Sequence, residues 1–187
     1  MHILLHENPA LILIDIQKGF EDIAYWGGQR NNPEAEKNAS TLLNLWRKLS
    51  LPVFHIKHCS TNPESRLAEG KPGNDFMDLV VPVQGEPVIK KNVNSAFIGT
   101  DLKQRLEDLK IHKVVIVGLT TDQCVSTSAR MAANYGFGTY VIYDATATFN
   151  KKGFKGEEFS AELMHNTALA SLSGEFATIL KTFQLIF

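Results

Sequence analysis

One thiol, one carboxylate and one ammonium group fall just past short apolar runs of this 187-residue chain. Cys124 lies in Val117-Gly-Leu-Thr-Thr-Asp-Gln-Cys-Val125, after the run Lys113-Val-Val-Ile-Val117 and where a helix is expected to begin. The first turn of a helix offers unpaired N–H groups and the positive end of the dipole, and both favour a thiolate, the nucleophilic form of cysteine. The same N–H groups suit the oxyanion that forms when a carbonyl is attacked. Thr120 and Gln123 fit a capping box there. A thiol nucleophile needs a proton acceptor. Asp15 closes the run Ala10-Leu-Ile-Leu-Ile14, and a carboxylate can take the thiol proton and later return it to a leaving amine. Two neighbouring anions repel, so a nearby cation helps, and Lys91, just after Val88-Ile89, is the candidate. Each residue also has a plainer reading: Cys124 as a small buried hydrophobe, Asp15 as the cap of a turn, Lys91 as an exposed base.

These groups can meet only if the apolar runs lie side by side. Ala10–Ile14 and Lys113–Val117 read as strands buried on both faces, with Gly118 ending the second. Pro52–Ile56, Val88-Ile89, Thr139–Tyr143 and Phe176–Leu180 read as further strands, the fifth ending at Asp144. Between them the pattern is helical. Leu42, Leu45, Trp46 and Leu49 form a stripe within 33–49; Leu102, Leu106 and Leu109 form another. Residues 122–135 present small Ala129, Ala132 and Ala133, and 159–172 complete the set. Strands alternating with helices predict βαβ units. The expected fold is a three-layer, doubly wound α/β domain over residues 1–187, a parallel sheet with helices on both faces; the six strands and the order 3-2-1-4-5-6 are those that the family resemblance given below implies, and the order is one of the common doubly wound ones. In that order strands one and four are neighbours, and ligands bind beyond their carboxyl ends. The irregular stretches 58–86 and 145–158 are candidate lids or binding loops as much as plain surface.

The rest of the chain narrows the function classes. Nineteen basic against twenty acidic residues give a net charge of −1, which argues against a nucleic-acid or anionic-membrane partner. No apolar run has the roughly 20 residues of a membrane helix, and Met1–Glu7 lacks the basic region of a signal peptide, so a cytoplasmic location is expected. Two cysteines, Cys59 and Cys124, make no disulfide framework. There is no GxGxxG or P-loop, and Asp15 stands where a nucleotide phosphate would bind, so no nucleotide cofactor is expected. No metal is expected either: His55 and His58, three apart on a strand, point to opposite faces. His112 and His165 read as structural or solvated.

Leu11-Ile-Leu-Ile-Asp15-Ile-Gln17-Lys-Gly-Phe20, the stretch Lys91-Asn-Val-Asn-Ser-Ala-Phe97-Ile-Gly-Thr100-Asp-Leu102, Gly118-Leu-Thr-Thr-Asp-Gln-Cys124-Val125 and Asp144-Ala-Thr-Ala-Thr-Phe149 together resemble the isochorismatase-like cysteine hydrolases, which include nicotinamidases and N-carbamoylsarcosine amidase. The resemblance spans nearly the whole chain in the family's order. It implies Asp15 as general base and acid, Lys91 as cationic partner and Cys124 as nucleophile. It implies a cis peptide between Leu119 and Thr120 that turns the Thr120 N–H toward the oxyanion, beside that of Cys124. It also implies a homo-oligomer, dimer or tetramer. Nicotinamidases carry Asp-x-His and a second His as metal ligands. The corresponding stretch here, Val53–His58, has no aspartate, which leaves His58 as a polar substrate contact alongside pocket residues Gln17, Phe20, Trp26 and Phe149.

The expected activity is hydrolysis of a C–N bond in a small-molecule amide through a Cys124 thioester. Two other readings stay open: vinyl-ether hydrolysis of the isochorismatase type with Asp15 as the acid, and a non-catalytic or redox-responsive thiol protein.

Overall fold

The structure is a computed structural model that describes residues 3–186. Met1 and His2, part of the segment read for a leader, lie outside the described residues. Six strands form one parallel sheet: β1 (Ala10–Ile14), β2 (Val53–His58), β3 (Val88–Lys91), β4 (Lys113–Leu119), β5 (Gly138–Ala147) and β6 (Thr178–Leu180). Their order is β3-β2-β1-β4-β5-β6, the doubly wound order expected above. Besides a single helical turn at Ile23–Trp26, the helices are α1 (Ala35–Lys48), α2 (Leu102–Asp108), α3 (Ser126–Asn134), α4 (Ala161–Leu172) and α5 (Thr182–Ile186).

Pleating divides each strand between two cores. Leu11 and Leu13 of β1 pack with Leu42, Leu43 and Trp46 of α1 and Leu185 of α5. Ala10, Ile12 and Ile14 face the other way, onto Leu102 and Leu106 of α2, Ala129 and Ala132 of α3, and Leu169 and Leu172 of α4. The result is three layers. On α1 the buried stripe is Ala35, Ala39, Leu42, Leu43 and Trp46, whereas Leu45 and Leu49 of the expected stripe are only partly buried.

At the carboxyl rim of the sheet three strands run past the ends read from the sequence; elsewhere the last strand starts at Thr178 rather than Phe176, and the helix read over 122–135 starts at Ser126. Gly118 does not end β4; it lies inside it, opposite Ile14, with φ +121°. A Cβ at this position would stand 2.0 Å from the Ile14 carbonyl oxygen, so only glycine lets β1 and β4 run so close. The β4–β5 register slips between Ile116 and Gly118, and β5 continues past Asp144 to Ala147. β2 likewise runs two residues past Ile56, to His58. Sequence patterning marks where apolar runs stop, but strand pairing continues through polar residues when neighbouring strands still offer partners. In the stretch 145–158, beyond β5, Lys151–Lys152 pairs antiparallel with Glu158–Phe159 as a small hairpin.

Candidate active site

Each of the three candidate residues reaches the rim by its own backbone device. Asp15 follows β1 directly and takes φ +52°, a left-handed conformation uncommon for a residue with a side chain. Its N–H still donates to Ile56 O at 3.0 Å, so the chain turns sharply without losing its hold on β2. Lys91 ends β3, two residues after buried Ile89 and therefore on the same face. Cys124 sits in a π-type turn, Thr121–Val125, that leads into α3.

The three side chains converge. Lys91 Nζ donates to Asp15 Oδ2 at 2.6 Å and approaches Cys124 Sγ at 3.4 Å. It also reaches Val93 O at 3.2 Å and His58 Nδ1 at 3.1 Å. The Asp15 and Lys91 side chains are fully shielded from solvent, and Cys124 is 8% exposed. Asp15 Oδ1, the other carboxylate oxygen, has no hydrogen-bond partner among the described residues. Asp15, His58 and Cys124 each bring a ligating atom within 4.8 Å of the others. Such a trio could bind a metal ion, but the space between them holds the Lys91 ammonium, which a cation would have to displace. The set therefore does not fit a metal, and no step below uses one.

The electrostatics differ from the sequence expectation. The sequence reading has a helix N-terminus favour a thiolate, whereas burial here works against one. Burial pushes the Cys124 thiol up to about 12, the Asp15 charge adds to this, and Lys91 only partly opposes it. The turn is also not a capping box, because Thr120 makes no side-chain cap and its buried Oγ1 is unpartnered among the described residues. Burial raises the Asp15 carboxyl above its ordinary value despite Lys91. Burial, and then Lys91, lower His58, so its ring is neutral at neutral pH and its Nδ1 lone pair faces the ammonium. The peptide bond between Leu119 and Thr120 is cis, and no backbone carbonyl among the described residues accepts the Thr120 N–H.

The expected pocket residues divide. His58 lies at the cluster. Phe20, Trp26 and Phe149 lie together, with ring centroids 4.6 Å apart for Phe20 and Trp26 and 6.0 Å for Phe20 and Phe149. Gln17 is corrected: its amide is wholly committed, donating to Asn74 O at 2.8 Å and His58 O at 3.1 Å while accepting the His58 N–H at 2.9 Å. A side chain fully buried and with both amide N–H groups used this way holds the end of β2. Two contacts went unread in the sequence. One is the Val93 carbonyl on Lys91; the other is Asn94, whose Oδ1 lies 3.9 Å from Cys124 Sγ. Their position just after Lys91 was the available signal. His58 was also legible, because Phe54, Ile56 and His58 alternate onto one face.

A doubly wound sheet that buries a thiol, a carboxylate and an ammonium group at its carboxyl rim defines an α/β protein built for hydrolytic chemistry. The chain belongs to the isochorismatase family, whose isochorismatase domain matches residues 9–184. It is 46% identical over 182 residues to the uncharacterized isochorismatase family protein YrdC of Bacillus subtilis (strain 168), covering 97% of this chain and 96% of that one. It is 29% identical over 181 residues to Nicotinamidase 3 of Arabidopsis thaliana, covering 90% and 82%. A solved isochorismatase-family structure from Chromobacterium violaceum ATCC 12472 superposes with a TM-score of 0.91 at 39% identity, covering 95% of this chain and 91% of that chain. Among the described residues no helix is long and apolar enough to cross a membrane.

Proposed function

We propose that this isochorismatase-family hydrolase cleaves the C–N bond of a small-molecule amide, with Cys124 as nucleophile, Asp15 as general base and acid, and Lys91 as their cationic partner. The observation that carries the reading is the orphan oxygen of Asp15. A buried carboxylate, pinned by Lys91 through one oxygen, keeps the other without a partner, and one of its oxygens lies within 4.8 Å of the Cys124 sulfur.

The steps follow from the proton affinities. At rest the thiol keeps its proton, because burial disfavours the thiolate. As Sγ attacks the carbonyl carbon, Asp15 takes that proton, and burial makes it a stronger base than an exposed aspartate. Lys91 stays beside the carboxyl and the sulfur, so their combined negative charge is never left alone. The N–H groups of Thr120 and Cys124 hold the oxyanion. Asp15 then gives the proton to the leaving nitrogen, the C–N bond breaks and a thioester remains. Water, losing a proton to Asp15, attacks the thioester, and the acid departs as the thiol regains the proton. His58, Phe20, Trp26 and Phe149 shape the substrate side. The likeness to Nicotinamidase 3 supports amide over ether chemistry. A single domain acting as a cytoplasmic homo-oligomer, dimer or tetramer, belongs to the same reading; light scattering after size exclusion measures the assembly.

A second reading draws on the same shift. A carboxyl whose proton is held by burial also suits Asp15 as the acid in vinyl-ether hydrolysis, with Cys124 a bystander. A redox role fits less well, because the reactive form is a thiolate and this thiol is held protonated. An ammonia-release screen over small amides and ureides, with isochorismate alongside, separates the three. Amide turnover lost in Cys124→Ala, with an acyl adduct on Cys124 by mass spectrometry, supports the amidase. Ether cleavage that survives Cys124→Ala and fails in Asp15→Asn supports the second. No turnover in either arm, with reversible oxidation of Cys124, supports the third.

A further inference from the structure

The turn that carries Cys124 is held from behind by a buried histidine whose protonation pattern the geometry fixes. His165, on α4, is fully buried, and its Nδ1 lies 2.8 Å from Thr121 Oγ1, the first residue of the turn. Its Nε2 lies 3.4 Å from Asn32 Nδ2. That amide nitrogen is a donor only, and its two hydrogens also face Tyr143 O and Thr146 O, each at 2.8 Å. A hydrogen on His165 Nε2 would therefore meet another donor. The nitrogen facing Asn32 must be bare, so the hydrogen is on Nδ1 and is donated to Thr121. The remaining face of the ring packs against Tyr143, with centroids 4.7 Å apart at 79°.

We propose that His165 is a positioning residue for the nucleophile: in its neutral Nδ1–H form it donates to Thr121 and fixes the Thr121–Val125 turn so that Cys124 faces Asp15 and Lys91. The inference concerns the proposed hydrolysis and rests on it for its kinetic arm only. The ring links three segments that the sequence keeps far apart: the loop holding Asn32, the nucleophile turn and α4. Burial lowers the ring below its ordinary value, and the charges of Glu162 and Asp122 oppose that without overcoming it. Tyr143 is the other titratable group against it. A second proton would have to enter at Nε2, against the Asn32 amide, so the neutral ring is the form the site accepts.

Displacement of a reacting atom by about 1 Å can cost roughly 100-fold in rate. In a Cys59→Ser background, His165→Leu is expected to lower kcat by about 10- to 100-fold with KM changed less than about 2-fold. His165→Asn places an amide N–H where Nδ1 stood and is expected to restore most of kcat. Thr121→Val should mimic His165→Leu, and the double variant should be no worse than either single one. Nitrogen-15 spectra of histidine-labelled wild-type protein read the tautomer directly, with no substrate and no variant that must fold. A protonated Nδ1 and bare Nε2, unchanged from pH 8 to pH 6, support the proposal. An Nε2–H tautomer, a cationic ring at pH 7, or additive losses in the double variant overturn it. Iodoacetamide alkylation of Cys124 gives a readout even if no amide is turned over; an altered rate in His165→Leu that returns in His165→Asn is expected, and an unchanged rate in both also overturns it.

Discussion

Two carboxylates at opposite ends of the sheet each face a cation, and they end in opposite states. At the amino end, Glu86 borders a cleft of about 470 Å³ lined by Arg47, Leu51, Pro52, Arg105 and Leu109 among others. Both Glu86 oxygens are occupied. Arg47 donates from Nε and Nη2 at 2.7 and 2.8 Å, His55 Nε2 lies 2.8 Å away, and the Val83 N–H donates at 3.0 Å. Burial pushes Glu86 up, but those hydrogen bonds together outweigh it and bring the group down to about 2. At the carboxyl end, Asp15 has one strong donor and an empty oxygen, and burial wins. A carboxylate saturated with donors is a structural clamp. One left partly unsatisfied in a dry place is a base. Open volume is a poor guide here: the cleft of about 470 Å³ borders the clamp, and the proposed base is fully shielded from solvent.

Removing each charge at constant shape breaks this comparison most directly. Asp15→Asn is expected to lower kcat for the proposed amide reaction by about 10³-fold or more, since the proposal makes Asp15 the proton carrier of both half-reactions. Glu86→Gln should leave kcat within about 3-fold, because it touches nothing that reacts. Steady-state ammonia release measures both, and equal losses would erase the distinction.

The thiol supplies the next effect. In a Cys59→Ser background, the rate of Cys124 alkylation should keep rising past pH 10, as expected for a thiol pushed up to about 12. Asp15→Asn removes a charge that raises that thiol, so the profile should move to lower pH even while turnover collapses. A plateau near pH 8 in the unmodified site would mean a resting thiolate and would remove the need for Asp15 as base.

Stability gives the smallest effect. Glu86→Gln should cost about 2 kcal/mol at neutral pH, the scale of a lost charged hydrogen-bond set. The sign with pH follows from the direction of the shift. Glu86 is lowered from 4.5 to about 2, so its contribution is complete above the ordinary value and is lost as pH falls toward 2. The gap between wild type and variant in urea unfolding should be constant near pH 6–7 and close at strongly acid pH. A gap that widens on acidification would show that Glu86 is not the clamp described.

The architecture was legible because it rests on patterns that local sequence carries. Continuous apolar runs in β1 and β4 alternating with helical stripes suffice to give a parallel sheet between helices, though not its strand order, and the end of each run marks Asp15, Lys91 and Cys124. The misreadings cluster where pairing, not composition, sets the outcome. Gly118 looked like a stop and is a close approach of two strands. Gln17 looked like a ligand contact and is a brace for His58 and Asn74. His58 lay one pleat beyond where the apolar run ends; the resemblance made it a substrate contact, and its place beside Lys91 emerged only in the fold.

The chain itself determined which residues could react and which strand ends would bring them near one another, since apolar alternation and residue type are properties of the sequence. The raised proton affinity of Cys124, the empty oxygen of Asp15 and the partner of His165 were decided only by folding. Proton affinity depends on how much water is excluded and which donors remain within about 3 Å, and both are set by segments distant in the chain.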